Sequence, residues 1–415
     1  MTAEHTTSTA GPTPAGPTPA QADRLVRSLS TTVFLQWFGA SAIIPMLPEY
    51  IRQRGGSDGL AGVVMAAFFA AGVLSQYPVG RLADRIGRRP VLLGGLFLYG
   101  IASLAFLAPV GPVADIGLRA VQGVGAGAAE VAALAMVSGA VAAGRRGKAF
   151  ASIYGGQLAG MAVGPLVGSI LGVDLMWIVF LAAGVASFAA CIPAYVVTEN
   201  QGAVARPAGA VREPLGRIRL RPALTGSLLS AVALGLTFGV YEICWTLLLR
   251  LRGASGWEIG LSWTFFAVPF VLMTKPSGWL TDHVDRRRLV VGGLTVSTSM
   301  CAAYPFIRSV PALMTLGGLE AVAVALVLPA AQSMLVQTSG PSEFGRVQGL
   351  FSTSQTAATA VSAAAGGALF GLATWAPFVV MASAGMMVVV VIAVAWRTVT
   401  GTVVDAVRHT GDSAG

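Results

Sequence analysis

Twelve apolar stretches follow one another along the chain, at about 29–51, 60–79, 90–109, 114–142, 149–172, 175–197, 223–249, 259–280, 289–307, 311–336, 348–373 and 375–396. Crossing a hydrocarbon layer of about 30 Å takes about 20 residues of α-helix. In lipid no water can bond the backbone, so a spanning segment must satisfy its own N–H and C=O groups, and a helix does this. Most stretches hold runs of small residues, carry few charges and end at Gly, Pro or Arg. Composition leads the same way: 55% of residues are apolar and only 11% charged, where a soluble domain carries about 25% charged. A mean hydropathy of +0.73 leaves too little polar surface for water. The expected fold class is an all-α membrane protein with 12 transmembrane helices.

Charge sets the expected orientation. With the N-terminus placed inside, inward-facing segments hold 20 of the 27 Lys and Arg residues and outward loops hold five: Arg52, Arg54, Arg250, Arg252 and Arg308. This positive-inside bias puts both termini in the cytoplasm. It also accounts for the net charge of +9 without nucleic acid as a partner. The expected organisation is a disordered cytoplasmic tail (1–28), six spans (29–197), a polar cytoplasmic linker (198–222), six more spans (223–397) and a second tail (398–415). The tail stretch "GPTPAGPTPA" has no apolar residue but Ala, a composition that cannot pay for ordering. No charged start leads into a short apolar run with a cleavage site, so no signal peptide is expected.

Several chemistries are excluded. Cys191, Cys244 and Cys301 all fall within apolar stretches, which argues against a disulfide framework. His5, His283 and His409 are far apart and form no metal-ligand spacing or catalytic triad. The terminal "GDSAG" matches the hydrolase elbow G-x-S-x-G but lacks the strand and helix that elbow needs. Without a phosphate-binding glycine loop, ATP is not the energy source. The expectation is a non-enzyme with no cofactor and no metal.

One passage occurs twice. "GRLADRIGRRPVL" (80–92) returns 198 positions later as "GWLTDHVDRRRLV" (278–290). The copies share Gly80/Gly278, Leu82/Leu280, Asp84/Asp282, Arg88/Arg286 and Arg89/Arg287. Arginines placed for topology alone explain the charge but not the Gly-x-Leu-x-Asp frame. Six spans per 198 residues describe a transporter of two parallel repeats, which rock against each other around a midplane site.

These residues resemble the major facilitator superfamily, whose signature loop is similar to Gly80, Leu82, Asp84, Arg85, Gly87, Arg88 and Arg89. The second copy departs at Asp285, where Gly87 stands in the first. The resemblance runs from about 29 to 397 and implies two six-helix pseudo-symmetric bundles. It also implies that the loops, with Gly278, Asp282 and Arg286, latch the halves on the cytoplasmic side when the cavity faces outward. Physically, an Asp at a helix end can pair with arginine or meet a helix N-terminus. Gly156, Gly160, Gly164, Pro165 and Gly168 in "GGQLAGMAVGPLVGSILG" resemble the motif of drug:proton antiporters within that family. Small residues every four positions also let helices pack closely. Arg119, Gln122 and Gly123 resemble a second family motif, whose arginine is implicated in proton transfer. An arginine within the bilayer faces a cavity or a partner by default.

Three glutamates lie at depth within spans: Glu130, Glu242 and Glu320. Glu130 follows Arg119 by 11 residues, which puts both on one face of a helix, about 16 Å apart. Subtracting the 198-residue offset sets Glu320 opposite Gln122. The family fold implies that spans 1, 4, 7 and 10 line the cavity, and all three glutamates fall on that set. A carboxyl group held in a low-dielectric cavity can exchange protons near neutral pH. One arginine cannot neutralise all three. Span 1 has Gln36 rather than an acid at mid-depth, so proton coupling is expected from Glu130, Glu242, Glu320 and Arg119. Gln36, Trp37, Gln122, Phe238, Tyr241 and Trp245 are expected to line the substrate cavity, the aromatic rings supplying apolar contact and the glutamates favouring cationic groups. The expected function is proton-coupled efflux of small amphipathic or cationic compounds from a bacterial cytoplasm across the inner membrane, by a monomer. A proton-coupled importer and a lipid or glycolipid translocase share the scaffold and stay open.

Overall fold

A computed structural model describes residues 18–108, 111–141, 145–198, 221–338 and 344–397. The first helix, α1 (Pro19–Ile43), passes through a 3-10 turn (Ile44–Met46) into a short α2 (Leu47–Gln53). Then follow α3 (Asp58–Ile86), α4 (Arg88–Ala105), α5 (Ala114–Ala140), α6 (Arg146–Leu171) and α7 (Met176–Thr198). The second half opens with α8 (Pro222–Val240), a π-helical turn (Tyr241–Trp245) and α9 (Thr246–Leu251). It continues through α10 (Gly256–Leu272), α11 (Thr274–His283), α12 (Arg286–Ala303), α13 (Val310–Thr338), α14 (Phe344–Leu372) and α15 (Ala376–Ala395).

One boundary and the count of independently apolar spans differ from the sequence reading. Helix α1 reaches back to Pro19, inside the segment 1–28 expected as a tail. Thr18 and Gln21 form a capping box, and Ala22, Leu25 and Leu29 are buried at helical spacing. Eight helical spans among the described residues are long and apolar enough to cross a membrane on their own, nine if the bent pair α10–α11 is one crossing. Helices α4, α6 and α14 fall short because arginine dilutes the first and glycine, glutamine and threonine the others. Their place in the packing, rather than their composition, sets them beside the other spans.

That packing repeats with the sequence. In the N bundle α1 lies against α6 and α7, α5 against α3 and α4, and α4 against α7. In the C bundle α8 lies against α14 and α15, α13 against α10 and α12, and α12 against α15. Helix α4 shifted by 198 residues is α12, end to end, and Asp58 at the start of α3 maps to Gly256 at the start of α10. The turns before α3 and α10 repeat too: Gly55 and Gly253 have φ of 81° and 82°, a left-handed conformation that glycine adopts without strain. Ser57 and Ser255 follow as N-caps. Where the copies part, the chemistry changes: Gly87 bends the chain at φ 97°, whereas Asp285 accepts the Arg287 amide with its carboxylate.

The bundles touch through α3 with α14 and α6 with α10. A methyl group on Gly62 would stand 2.6 Å from the Ala363 carbonyl oxygen, and one on Gly256 2.7 Å from that of Ser169. These contacts are backbone on backbone, and all lie at the end that carries α2 and α9. There a single apolar core draws on both bundles, from Ile43 and Phe180 to Ile243 and Phe378. At the opposite end, near the described chain termini, the cores are separate: one holds Leu25, Leu92 and Met136, the other Leu224, Leu294 and Trp396. The molecule is therefore closed at the α2 end and divided at the other.

The glycine ladder of α6 has a plain structural task. Gly156, Gly160, Gly164 and Gly168 all face the α1 backbone, and a methyl on Gly160 would sit 2.7 Å from the Phe38 amide nitrogen. The Ser41 hydroxyl donates to the Gly160 carbonyl at 3.1 Å across the same seam. Gly160→Leu should therefore lower the thermal unfolding midpoint of detergent-purified protein, at a cost of about 1–3 kcal/mol or more from overpacking. Gly155→Leu is the control, since nothing lies within 4 Å of its Cβ position. Equal midpoints for the two variants would refute the close α1–α6 contact.

Candidate functional site

Water is excluded from the middle of the closed half, so polar side chains there must find partners among themselves. Two clusters do so, one in each bundle. In the N bundle Arg119, from α5, is 1% exposed. Its Nη1 donates to Gln122 Oε1 at 2.8 Å and its Nη2 to the Met65 sulfur at 3.5 Å, and the guanidinium lies 4.9 Å from the Phe68 ring centroid. Gln122 passes the chain on, donating to the Ser103 hydroxyl at 2.8 Å, which donates to the Tyr99 carbonyl at 2.9 Å. Such a stacked guanidinium is held by about 1–2 kcal/mol once desolvated. Arg119 Nε has no partner, and no carboxylate lies within ion-pair distance of Arg119 among the described residues.

In the C bundle Glu320, from α13, is also 1% exposed. It accepts hydrogen bonds from three hydroxyl groups: Tyr241 at 2.9 and 3.1 Å, Ser297 at 2.6 Å and Tyr304 at 2.6 Å. Trp245 closes the group, its ring centroid 6.0 Å from Tyr241 and 5.1 Å from Tyr304, its Nε1 donating to Ser262 at 2.9 Å. The π-helical turn Tyr241–Trp245 brings Tyr241, Glu242 and Trp245 to this junction. Glu242 is buried and its Oε2 has no partner. Across the bundle junction its charge and that of Arg119 act on each other.

The two clusters are the same positions, differently furnished. The offset of 198 maps Gln122 onto Glu320, Tyr99 onto Ser297 and Ser103 onto Cys301. It maps Arg119 onto Gly317, and the space beside Gly317 is taken by the Trp245 ring, 3.8 Å from a Cβ placed there. One bundle holds a cation and an amide; the other holds an aromatic wall and a carboxyl.

The remaining sequence candidates are placed as follows. Glu130 is on α5 with Arg119, as the spacing required, but stands apart from both clusters, within electrostatic reach of Tyr154 on α6. Gln36 is buried on α1, and Trp37 packs on the separate N-bundle core rather than on the junction. Phe238 lies partly buried between the shared core and the C-bundle core, its ring 6.4 Å from Phe266. The Pro165 carbonyl meets α10 where the bundles cross, near Gly260. Sequence reasoning missed Ser297 and Tyr304, which the offset could have offered as counterparts of Tyr99 and Phe106. It also missed Asp115, Met65 and Phe68; nothing in their local pattern sets the last two apart from core.

Arg88, Arg89 and Arg286 of the repeated loops have described contacts within their own bundles. Arg88 Nη1 donates to the Ala135 carbonyl at 2.6 Å, and Arg89 lies 4.2 Å from the Tyr195 ring centroid. Arg286, 2% exposed, donates from Nε to the Thr281 carbonyl at 3.1 Å. Arg85 is exposed, a Cβ at Gly80 would touch Val131, and one at Gly278 would meet nothing within 4 Å among the described residues. The side chains of Asp84 and Asp282 lie outside the described residues. Burial alone would raise the Asp285 carboxyl, but the Arg287 guanidinium and amide outweigh it and hold the group below its usual range.

The family model for the Major Facilitator Superfamily matches residues 29–248 and 245–412. The inner membrane transport protein YajR of Escherichia coli is 27% identical over 277 residues, which are 61% of this chain and 58% of that protein. The class E tetracycline resistance protein of Escherichia coli is 27% identical over 364 residues, 82% of this chain and 86% of that protein. A bacterial homologue of the human lysosomal transporter Spinster, solved in an inward-facing and unoccupied conformation, has a TM-score of 0.68 at 14% identity. That match covers 91% of this chain and 96% of the other, and it shows a shared fold.

Two measurements check this geometry. Tyr304→Phe removes one donor from a buried carboxyl group and should cost about 1–3 kcal/mol of stability. In a Glu320→Gln background it should cost less, so that a double-mutant cycle gives a coupling of about 1 kcal/mol; additive costs would separate the two side chains. Asp285→Asn should lower the unfolding midpoint at pH 7. Because the folded-state value is depressed, that stabilisation is present above the ordinary Asp value of about 3.9 and vanishes as pH falls through the folded one. A difference that persists in acid would assign the loss to shape rather than charge.

Proposed function

The chain belongs to the major facilitator superfamily, and we propose that this multi-pass membrane transporter exports small amphipathic or cationic compounds in exchange for protons. The carrying observation is the condition of the two C-bundle glutamates. Glu320 and Glu242 are buried beside the bundle junction with no basic group in ion-pair contact among the described residues. Carboxyl groups locked onto arginine or lysine would be fixed charges. Held only by hydroxyls, or by nothing, they are free to gain and lose protons as the two bundles move.

The divided end is the cytoplasmic one on the charge asymmetry of the loops, so the described state faces inward. On the family resemblance, the latch passages would engage across the bundles only in the outward-facing state. From the cytoplasm a cationic substrate would reach Glu242, whose unpaired Oε2 stands opposite Arg119. Substrate and proton compete for that carboxylate: its negative charge draws a cation, and protonation cancels the draw. Rocking about the small-residue crossings of α3 with α14 and α6 with α10 would then expose the substrate on the other face. The class E tetracycline resistance relative supports an export direction, and the aromatic group of Tyr241, Trp245 and Tyr304 supports a cationic or aromatic cargo. The proposed reading, like that of the sequence, is of a monomer.

A panel of lipophilic cations, with tetracycline included, should dissipate the pH gradient of everted membrane vesicles that contain the protein. The dissipation should vanish with an uncoupler. Glu242→Gln or Glu320→Gln should abolish it while leaving the amount of membrane-inserted protein unchanged. Normal dissipation by both variants would remove these residues from the coupling. Uptake driven by an inward proton gradient would instead make the protein an importer.

A further inference from the structure

Asp115 is a buried acid to which the transport cycle above gives no task. It lies in the first turn of α5, at the closed end, and is 0% exposed; neither carboxyl oxygen has a hydrogen-bond partner. Arg119 is four residues on, on the same face of the helix, but its guanidinium turns away to Gln122 and Met65. The charged group that acts on Asp115 is Arg54, and Asp115 in turn acts on Tyr50. Arg54 does not reach the carboxyl group: it bonds to the Tyr50 hydroxyl and lies 4.9 Å from that ring's centroid. The other rings around Tyr50 are Phe106 and Phe180, at 6.5 and 5.2 Å, and neither titrates.

An ionised carboxylate without donors or a cation in contact is several kcal/mol out of place in such surroundings. The neutral acid is not. The cation that could replace its proton is held close by, at the C-terminal end of a short helix whose Leu47 and Ile51 sit in the shared core and whose Arg52 is paired with Asp58. Helix α2 has only seven residues, set off from α1 by the 3-10 turn Ile44–Met46 and from α3 by Gly55 at φ 81°. Pro45 and Pro48 withhold two backbone donors at that break. A pivot there carries Tyr50 and Arg54 together.

We propose that Asp115 is a second proton-binding site, at the closed end of the N bundle, and that Arg54 takes the place of its proton when α2 swings outward. In that step the carboxyl O–H bond breaks, the proton passes to water at the newly opened face, and the carboxylate pairs with the Arg54 guanidinium. The reverse step reseals the end with Asp115 protonated and Arg54 back on Tyr50. The site thus ties opening of that end to the proton concentration it meets. The movement rests on the alternating-access reading; the proton on Asp115 in the closed state does not.

The test has two arms. Infrared difference spectra of the purified full chain at neutral pH, wild type against Asp115→Asn, should show the carbonyl band of a protonated carboxyl group that lacks a hydrogen bond. Asp115→Asn should lose that band. Any band of Glu320 would fall at lower frequency, since hydroxyls bond that group, and would stay in Asp115→Asn; Glu242→Gln serves as the reference for the other unbonded oxygen. No band lost in Asp115→Asn overturns the proposal. In proteoliposomes, transport by Arg54→Gln should lose its dependence on the pH of the compartment facing α2, and Arg54→Lys should keep it. An unchanged dependence in Arg54→Gln overturns the exchange. Wild-type protein that moves no protons would refute the antiport reading alone, and the infrared arm would still decide whether Asp115 carries one.

Discussion

A charge at lipid depth has three ways to exist: a partner, a water-filled path or a proton. That constraint organises the molecule more than any single contact does, because an apolar chain in lipid gains little from helix association itself. The helices meet through small residues, as at the α1–α6 seam and the α3–α14 crossing, and such seams are close but individually weak. What distinguishes one arrangement from another is therefore the fate of the few polar side chains. Arg119 solves its problem with Gln122, Met65 and an aromatic face; Glu320 solves it with three hydroxyls. Neither solution uses an opposite charge, so neither fixes the charge state of the other.

The 198-residue repeat gives this arrangement its form. Duplicated helices produce duplicated polar clusters between spans 3 and 4 and between spans 9 and 10, built from positions that the offset equates. Divergence then furnished them differently. Arginine and glutamine stand in one, glutamate and serine in the other, and Trp245 fills the room that Gly317 leaves where the first bundle has Arg119. The pair is symmetric in backbone and antisymmetric in charge.

Much of this could be read before any coordinates. The twin passages at 80–92 and 278–290 fixed the repeat, and the repeat placed Glu320 opposite Gln122. What escaped was set by three-dimensional neighbours. Tyr304 and Ser297 look like ordinary residues of an apolar span until α12 is packed against α13. Asp115 reads as an interfacial residue at a span's edge, since nothing local shows that α2 and the rings of Phe106 and Phe180 close over that end. The α6 ladder carries the opposite lesson. Its spacing matches a family motif, yet its four glycines meet the α1 backbone, so close packing alone accounts for their size. Apolarity marks the start of the first span near residue 29, whereas the capping box at Thr18 and Gln21 marks where the backbone turns helical.

The antisymmetry bears on how the two bundles would be driven. A fixed cation in one bundle and titratable acids in the other attract only when an acid has lost its proton. Two unit charges about 4 Å apart interact by about 1 kcal/mol in water and about 4 kcal/mol at an effective dielectric of 20. Each 1.4 kcal/mol changes a population ratio tenfold, so on the proposed cycle protonating a carboxyl group brought that close to Arg119 would shift which end of the molecule stays shut. Two fixed charges would hold one state at every pH, and two acids would have nothing to pull against. On the proposed cycle, the asymmetric furnishing of a symmetric scaffold is what makes the closed end answer to protons.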